Sequence, residues 1–205
     1  MKHHLKHKRS LWLLLLLALG CSMLAPAGAD GLHFKMAITT RMVADGAGRL
    51  QALEMRWRYD AAFTNLLLGE QDLSTPEKRD AIMARLGQDV MADLFDLGYY
   101  TLLRANGEPQ VFLTPQVYQA SLTPDQLVQL DFTLPLRQAR ELRNTTLQLE
   151  VVDPDAGIVL SYSDPARIVL DPVLAARCSR PAITTRQEVL NEHQVEIQTV
   201  IVACR

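Results

Sequence analysis

The feature that most restricts the fold is an alternation of apolar and polar residues with a period of two, repeated along most of the chain. Between Phe34 and Val43, the residues Phe34, Met36, Ile38 and Met42 share one parity, and Lys35, Thr39 and Arg41 share the other. Between Leu50 and Tyr59, Leu53, Met55, Trp57 and Tyr59 alternate with Glu54, Arg56 and Arg58. Successive side chains of a strand point to opposite faces, so each run predicts a strand with one buried and one solvated face. The intervening ADGAG supplies turn residues, and the pair predicts an antiparallel hairpin.

A helical period interrupts this pattern once. In DAAFTNLLLG, Phe63, Leu66 and Leu67 fall at helical spacing and Gly69 provides a stop. In the next stretch Ser74 or Thr75 can cap a helix, Pro76 suits its first turn and Glu77 its positive end. Ile82, Leu86, Val90, Met91, Leu94 and Phe95 then form an apolar stripe up to about Gly98, whose plainest role is core packing. Strand signals return in YYTLLRANGEPQVFL, centred on an Asn106-Gly107 turn, and in LVQLDFTLPL, TLQLEVVD, GIVLSYSD and ARIVLD. The final AITTRQEVLNEHQVEIQTVIVAC is ambiguous in its first half and β-rich in its second. These patterns predict an α+β fold: a mainly antiparallel, β-sandwich-like core with an inserted helical segment at 61–97.

The first 29 residues follow the order of a secretion signal: Lys2, Lys6, Lys8 and Arg9, then the apolar Leu11–Leu19, then Ala27-Gly28-Ala29. Cleavage after Ala29 is expected, leaving residues 30–205 as a single periplasmic domain. The apolar run is too short to span a bilayer, which takes about 20 residues; this argues against an uncleaved membrane anchor, and no direct membrane insertion is expected after cleavage. A competing reading takes LALGC as a lipobox and Cys21 as a lipidated cysteine. The leader holds four of the 21 basic residues and none of the 23 acidic ones, so the remainder carries 17 against 23, a net charge of −6. That balance argues against nucleic acid or an anionic membrane as partner. With Cys21 removed or modified, Cys178 and Cys204 remain as an even pair in a chain bound for an oxidising compartment, which predicts a disulfide. Two buried thiols, or half a metal site with His193, are the alternatives.

Catalysis has little to stand on. The chain contains no G-x-S-x-G elbow, no HExxH, no P-loop and no GxGxxG, and past the leader only His33 and His193 could supply the imidazole of a Ser-His-Asp arrangement. No catalytic residue is assigned, and an enzyme is not expected. Asp153 and Asp155 in VVDPDAG suit a turn at a strand end, and Asp60 suits a helix N-cap. His33 is most simply an edge residue, although a free α-amine, Asp30 and an imidazole near a new N-terminus can gather around a divalent ion.

The order of His33, DGAGRL, MRWRYDAAFTNLLL, LGYYTLLRANGEP, LDFTLPL, LQLEVVDPDAGIVLSY and a closing VIVAC resembles the Zev-type periplasmic family, a domain of unknown function described as the periplasmic component of an uncharacterised transport system. That resemblance implies a non-enzymatic accessory of divalent-metal transport, with zinc or another divalent metal as cargo and a NicO-type membrane permease as partner. The family opens with His-Pro-His and an aspartate a few residues on. Here Gly31, Leu32 and His33 occupy the first three positions and Ala37 stands near the aspartate's place. The resemblance therefore leaves His33, with Asp60 and Asp153, as candidate metal residues, and Asp30 joins them from its place beside the new N-terminus. It leaves open an interaction module that has lost metal binding.

Overall fold

The computed structural model of the chain describes residues 34–205. β1 (Phe34–Ala44) and β2 (Leu50–Tyr59) form the expected antiparallel hairpin. Asp45 closes its turn, its side chain accepting from Ala47 N at 3.0 Å and Arg49 N at 2.9 Å. Two helices follow, α1 (Ala61–Leu68) and α2 (Pro76–Asp96). The chain then forms β3 (Thr101–Ala105), β4 (Glu108–Pro109), β5 (Tyr118–Leu122), β6 (Val128–Arg140), β7 (Thr145–Val151), β8 (Ile158–Ser161) and β9 (Ile168–Leu170). A single-turn helix, α3 (Pro172–Ala175), precedes the closing hairpin of β10 (Ala182–Leu190) and β11 (His193–Cys204).

Two sheets result. One has the order β5-β6-β2-β1-β8, with β9 also on β1; the other has the order β10-β11-β7-β3-β4. All pairings are antiparallel except β1 with β8 and β1 with β9, which are parallel. A parallel neighbour needs a long crossover, and here the crossover passes through the second sheet. The chain is thus a mostly β, α+β sandwich whose two sheets share one apolar core.

The alternation places that core where it predicts. Met36, Ile38 and Met42 of β1, Leu53, Met55 and Trp57 of β2, and Leu130, Phe132 and Leu134 of β6 are all at most 3 % exposed. They meet Leu103, Leu147, Leu149, Val200 and Val202 from the other sheet. The opposite face of β1, β2 and β6 carries ion pairs, Arg41 with Glu54 at 3.1 Å and Arg56 with Asp131 at 2.6 Å. Irregular pairing at Leu50/Ala52 marks a bulge, which lets Leu50 and Leu53 both point inward despite their opposite parity.

The helices differ in detail from the expectation. Asp60 caps α1 and Thr75 caps α2, with Pro76 in the first turn. The buried edge of α2 runs through Met83, Gly87, Met91 and Leu94, whereas Ile82, Leu86 and Val90 are half-buried and Phe95 is 57 % exposed. The cause is close approach: α2 packs on β5 at Gly87, where a Cβ would sit 3.4 Å from Ala120 N. A second difference follows α2. Strand periodicity runs from Tyr99, but the strand begins at Thr101, because Gly98, Tyr99 and Tyr100 form a left-handed turn with φ of 57°, 55° and 52°.

The ambiguous 182–190 stretch is a strand, and Asn191 and Glu192, both with positive φ, make the tight turn to β11. Cys178 and Cys204 are bonded (S–S 2.04 Å). They face each other between Ser179 N donating to Ala203 O at 2.7 Å and Arg205 N donating to Arg177 O at 3.0 Å. The disulfide thus closes the base of the β10–β11 hairpin. Among the described residues, no helix is long and apolar enough to cross a membrane.

Candidate functional site

Asp60 stands where β2 ends and α1 begins. Its Oδ1 accepts from Phe63 N at 2.7 Å, which satisfies one of the N–H groups left open at the start of a helix. Its Oδ2 accepts from Lys35 N at 2.7 Å, and Asp60 N donates to Lys35 O at 3.0 Å. One carboxylate therefore ties the start of α1 to the second residue of β1. The aromatic rings beside it reinforce the join, with Phe34 stacked on Phe63 at 4.5 Å and Tyr59 edge-on to Phe63 at 5.0 Å.

Asp153 organises the loop that enters β8. It is 5 % exposed. Oδ1 accepts from Asp155 N at 3.0 Å, Oδ2 from Ile158 N at 2.9 Å, and its carbonyl from Ala156 N at 3.1 Å. This is the turn chemistry that Asp-Pro-Asp predicts. The loop also holds β1, since Phe34 N donates to Gly157 O at 3.2 Å and Phe34 pairs with Ile158.

The tertiary structure therefore sets Asp60 against Lys35 on the β2 side of β1, and the loop organised by Asp153 against Phe34 on its β8 side. His33 and Asp30, the other two candidates, lie outside the described residues. Both carboxylates are engaged by backbone N–H groups, but each oxygen retains a lone pair for a further partner. Among the described residues, no group of three or more His, Cys, Asp or Glu side chains is arranged to hold a metal ion. Cys178 and Cys204 are oxidised to each other, which removes the half metal site considered for them with His193.

Beyond Asp153 lies Tyr100, a residue the sequence does not single out. Burial, followed by the charges of Asp153, Asp155 and Asp93, pushes its phenol up to about 12, so it stays a neutral hydroxyl at ordinary pH. Its ring is parallel to Trp57, with centroids 6.2 Å apart. Tyr100, Leu97, Leu102, Val152 and Ile197 line an apolar groove of about 350 Å³ whose rim carries Glu150, Arg186 and Glu188. A larger open groove of about 920 Å³ runs between α2 and β5, past Met83, Gly87 and Tyr118. Only the left-handed turn turns the Tyr100 ring this way, and a helix stop at Gly98 followed by two tyrosines was its one trace in the sequence.

A two-sheet α+β sandwich with backbone-anchored carboxylates at one strand end is the class of domain these observations define. The chain belongs to the family of proteins of unknown function DUF1007, which it matches over residues 15–198. No curated protein matches it.

Proposed function

We propose that the protein is a non-enzymatic periplasmic accessory of a divalent-metal transport system, with zinc as the cargo and a NicO-type permease as its partner. In this reading it is exported by cleavage after Ala29 and holds the metal weakly, or docks on the permease without holding it. The observation that carries the reading is that Asp60 and the loop organised by Asp153 hold the first two residues of β1 from its two sides, next in sequence to His33.

The donor chemistry favours weak binding. A closed zinc site takes four N, S or O ligands, whereas the described residues bring two carboxylates to this end, both already accepting backbone hydrogen bonds. A histidine added to two such oxygens makes an open, incomplete ligand set, suited to a cargo that must be passed on. The second reading, an envelope interaction module that has lost metal binding, draws on the same engagement of both carboxylates in holding the fold.

Calorimetric titration of zinc into the exported protein separates the two. Saturable zinc binding in the micromolar range that vanishes in His33→Ala and weakens in Asp60→Asn, which keeps the capping acceptor, supports the carrier. Absence of heat in every variant sinks metal carriage and leaves the docking role. Turnover of generic ester or phosphate substrates by the purified protein would overturn the non-enzymatic assignment.

A further inference from the structure

The outermost strand of the second sheet is open along its length. β10 pairs with β11 in unbroken register from Ala182 opposite Ile201 to Leu190 opposite His193, and it ends the sheet. Ladder parity decides which of its backbone groups are already used. The two-residue turn at Asn191-Glu192 makes Leu190 and His193 a hydrogen-bonded pair, and every second residue back along β10 follows suit. The bond from Ser179 N to Ala203 O agrees, because it places the odd-numbered backbone groups of β11 on the β10 side. The N–H and C=O groups of Ile183, Thr185, Gln187 and Val189 therefore point away from β11. No other strand of the described residues covers them.

Exposed edges are usually blunted by a short strand, a proline, a lysine or a bulge. β10 has none of these: AITTRQEVL is nine residues long, exposed over most of its length and free of register shifts. We propose that β10 pairs antiparallel with β10 of a second copy of this chain, about a twofold axis at Gln187, so that the two sheets become one.

Charge selects the partner and the register. Centring on Gln187 sets Arg186 opposite Glu188 of the second copy, and Glu188 opposite Arg186 of the second copy. Both fall in non-hydrogen-bonded pairs, where facing side chains come closest. A centre at residue 186 would oppose two arginines and one at 188 two glutamates, while a centre at 185 leaves both charges facing neutral residues. The same register sets Val189, 68 % exposed in the single chain, against Thr185 of the second copy, a pairing of two β-branched residues. On the strand's charged face, Arg186 already holds Glu150 at 2.6 Å and Glu188 at 3.1 Å, so the contact extends an existing network.

Sedimentation velocity over a micromolar concentration series tests this on the exported protein, on Arg186→Glu, on Glu188→Arg and on an equimolar mixture of the two variants. Each variant alone opposes like charges twice, whereas the mixture restores opposite charges at both pairs. The parent protein is expected to form a dimer, each variant to lose roughly tenfold or more in association, and the mixture to regain it. Gln187→Pro removes an outward-pointing N–H without breaking the ladder to β11, and is expected to be a folded monomer by circular dichroism. A parent protein that stays monomeric throughout the series, a dimer that survives Gln187→Pro, or variants whose mixture associates no better than either alone would overturn the proposal.

Discussion

Thr40 sits at zero exposure in the middle of an otherwise apolar strand face, and its hydroxyl lies 2.8 Å from the Tyr162 hydroxyl. Burial pushes the Tyr162 phenol up, so both partners stay neutral, and the phenol donates to Thr40, whose own hydroxyl donates to Met55 Sδ at 3.3 Å. Thr40→Val strands the phenol and is expected to cost about 1–3 kcal/mol in urea unfolding, whereas Tyr162→Phe should cost less, because the Thr40 hydroxyl still donates to Met55 Sδ at 3.3 Å. The double variant should cost less than the sum, because removing both partners leaves nothing unpaired. Asp60 allows a similar comparison: Asp60→Ala loses the cap and should destabilise by about 1 kcal/mol, while Asp60→Asn retains most of it. Glu150 sets a pH dependence. Burial raises its pKa, but hydrogen bonds from Arg186 and Thr199 with the charges of Arg186 and Arg104 outweigh that, and the net pKa lies below the usual 4.5. A carboxylate lowered on folding contributes stability above its unfolded value and loses it as pH falls through the folded one. The stability gap between the parent and Glu150→Gln should therefore be constant above about pH 4.5 and close below it. The capping role of Asp60 was legible in the sequence because it is local; the Thr40–Tyr162 pair joins residues 122 positions apart and was not.

At the scale of elements, the helical insertion and the closing hairpin are held by contacts that periodicity cannot reveal. The apolar stripe of α2 was read correctly as packing, yet its buried edge is displaced toward Met83 and Gly87 because β5 approaches the helix there. Gly87→Leu should pry α2 from β5, lowering stability well beyond the roughly 1 kcal/mol by which leucine exceeds glycine in helix propensity and so reversing the sign that propensity alone predicts. The Cys178–Cys204 bond encloses the β10–β11 hairpin with a sequence separation of 26. Closing a loop of that size constrains the unfolded chain by about 3 kcal/mol, so reduction or a double Cys→Ser change should lower unfolding stability by that order. Cysteine arithmetic sufficed to pair the two residues. It could not place them opposite each other at the foot of a hairpin whose first strand was ambiguous, since β10 is exposed on both faces and carries no alternation of burial.

For the whole molecule, one core that includes both sheets and both longer helices argues for cooperative unfolding. Trp57 lies at the centre of that core at zero exposure and is the one tryptophan among the described residues. Its emission and the far-ultraviolet circular dichroism of residues 30–205 should thus report a single, coincident urea transition; separated midpoints would show that the sheets unfold independently. The sequence by itself determined most of the strands, the helical interruption, the capping role of Asp60, the cysteine pair and the α+β sandwich class. All of these rest on short-range periodicity, turn chemistry and residue counts. Only the tertiary structure decided that β8 and β9 join β1 in parallel, that Asp60 and the Asp153 loop hold the start of β1 from its two sides, and that β10 is left as an open edge. Those outcomes depend on which distant segments pair, and a strand's own alternation specifies which face it buries but not which neighbour it takes.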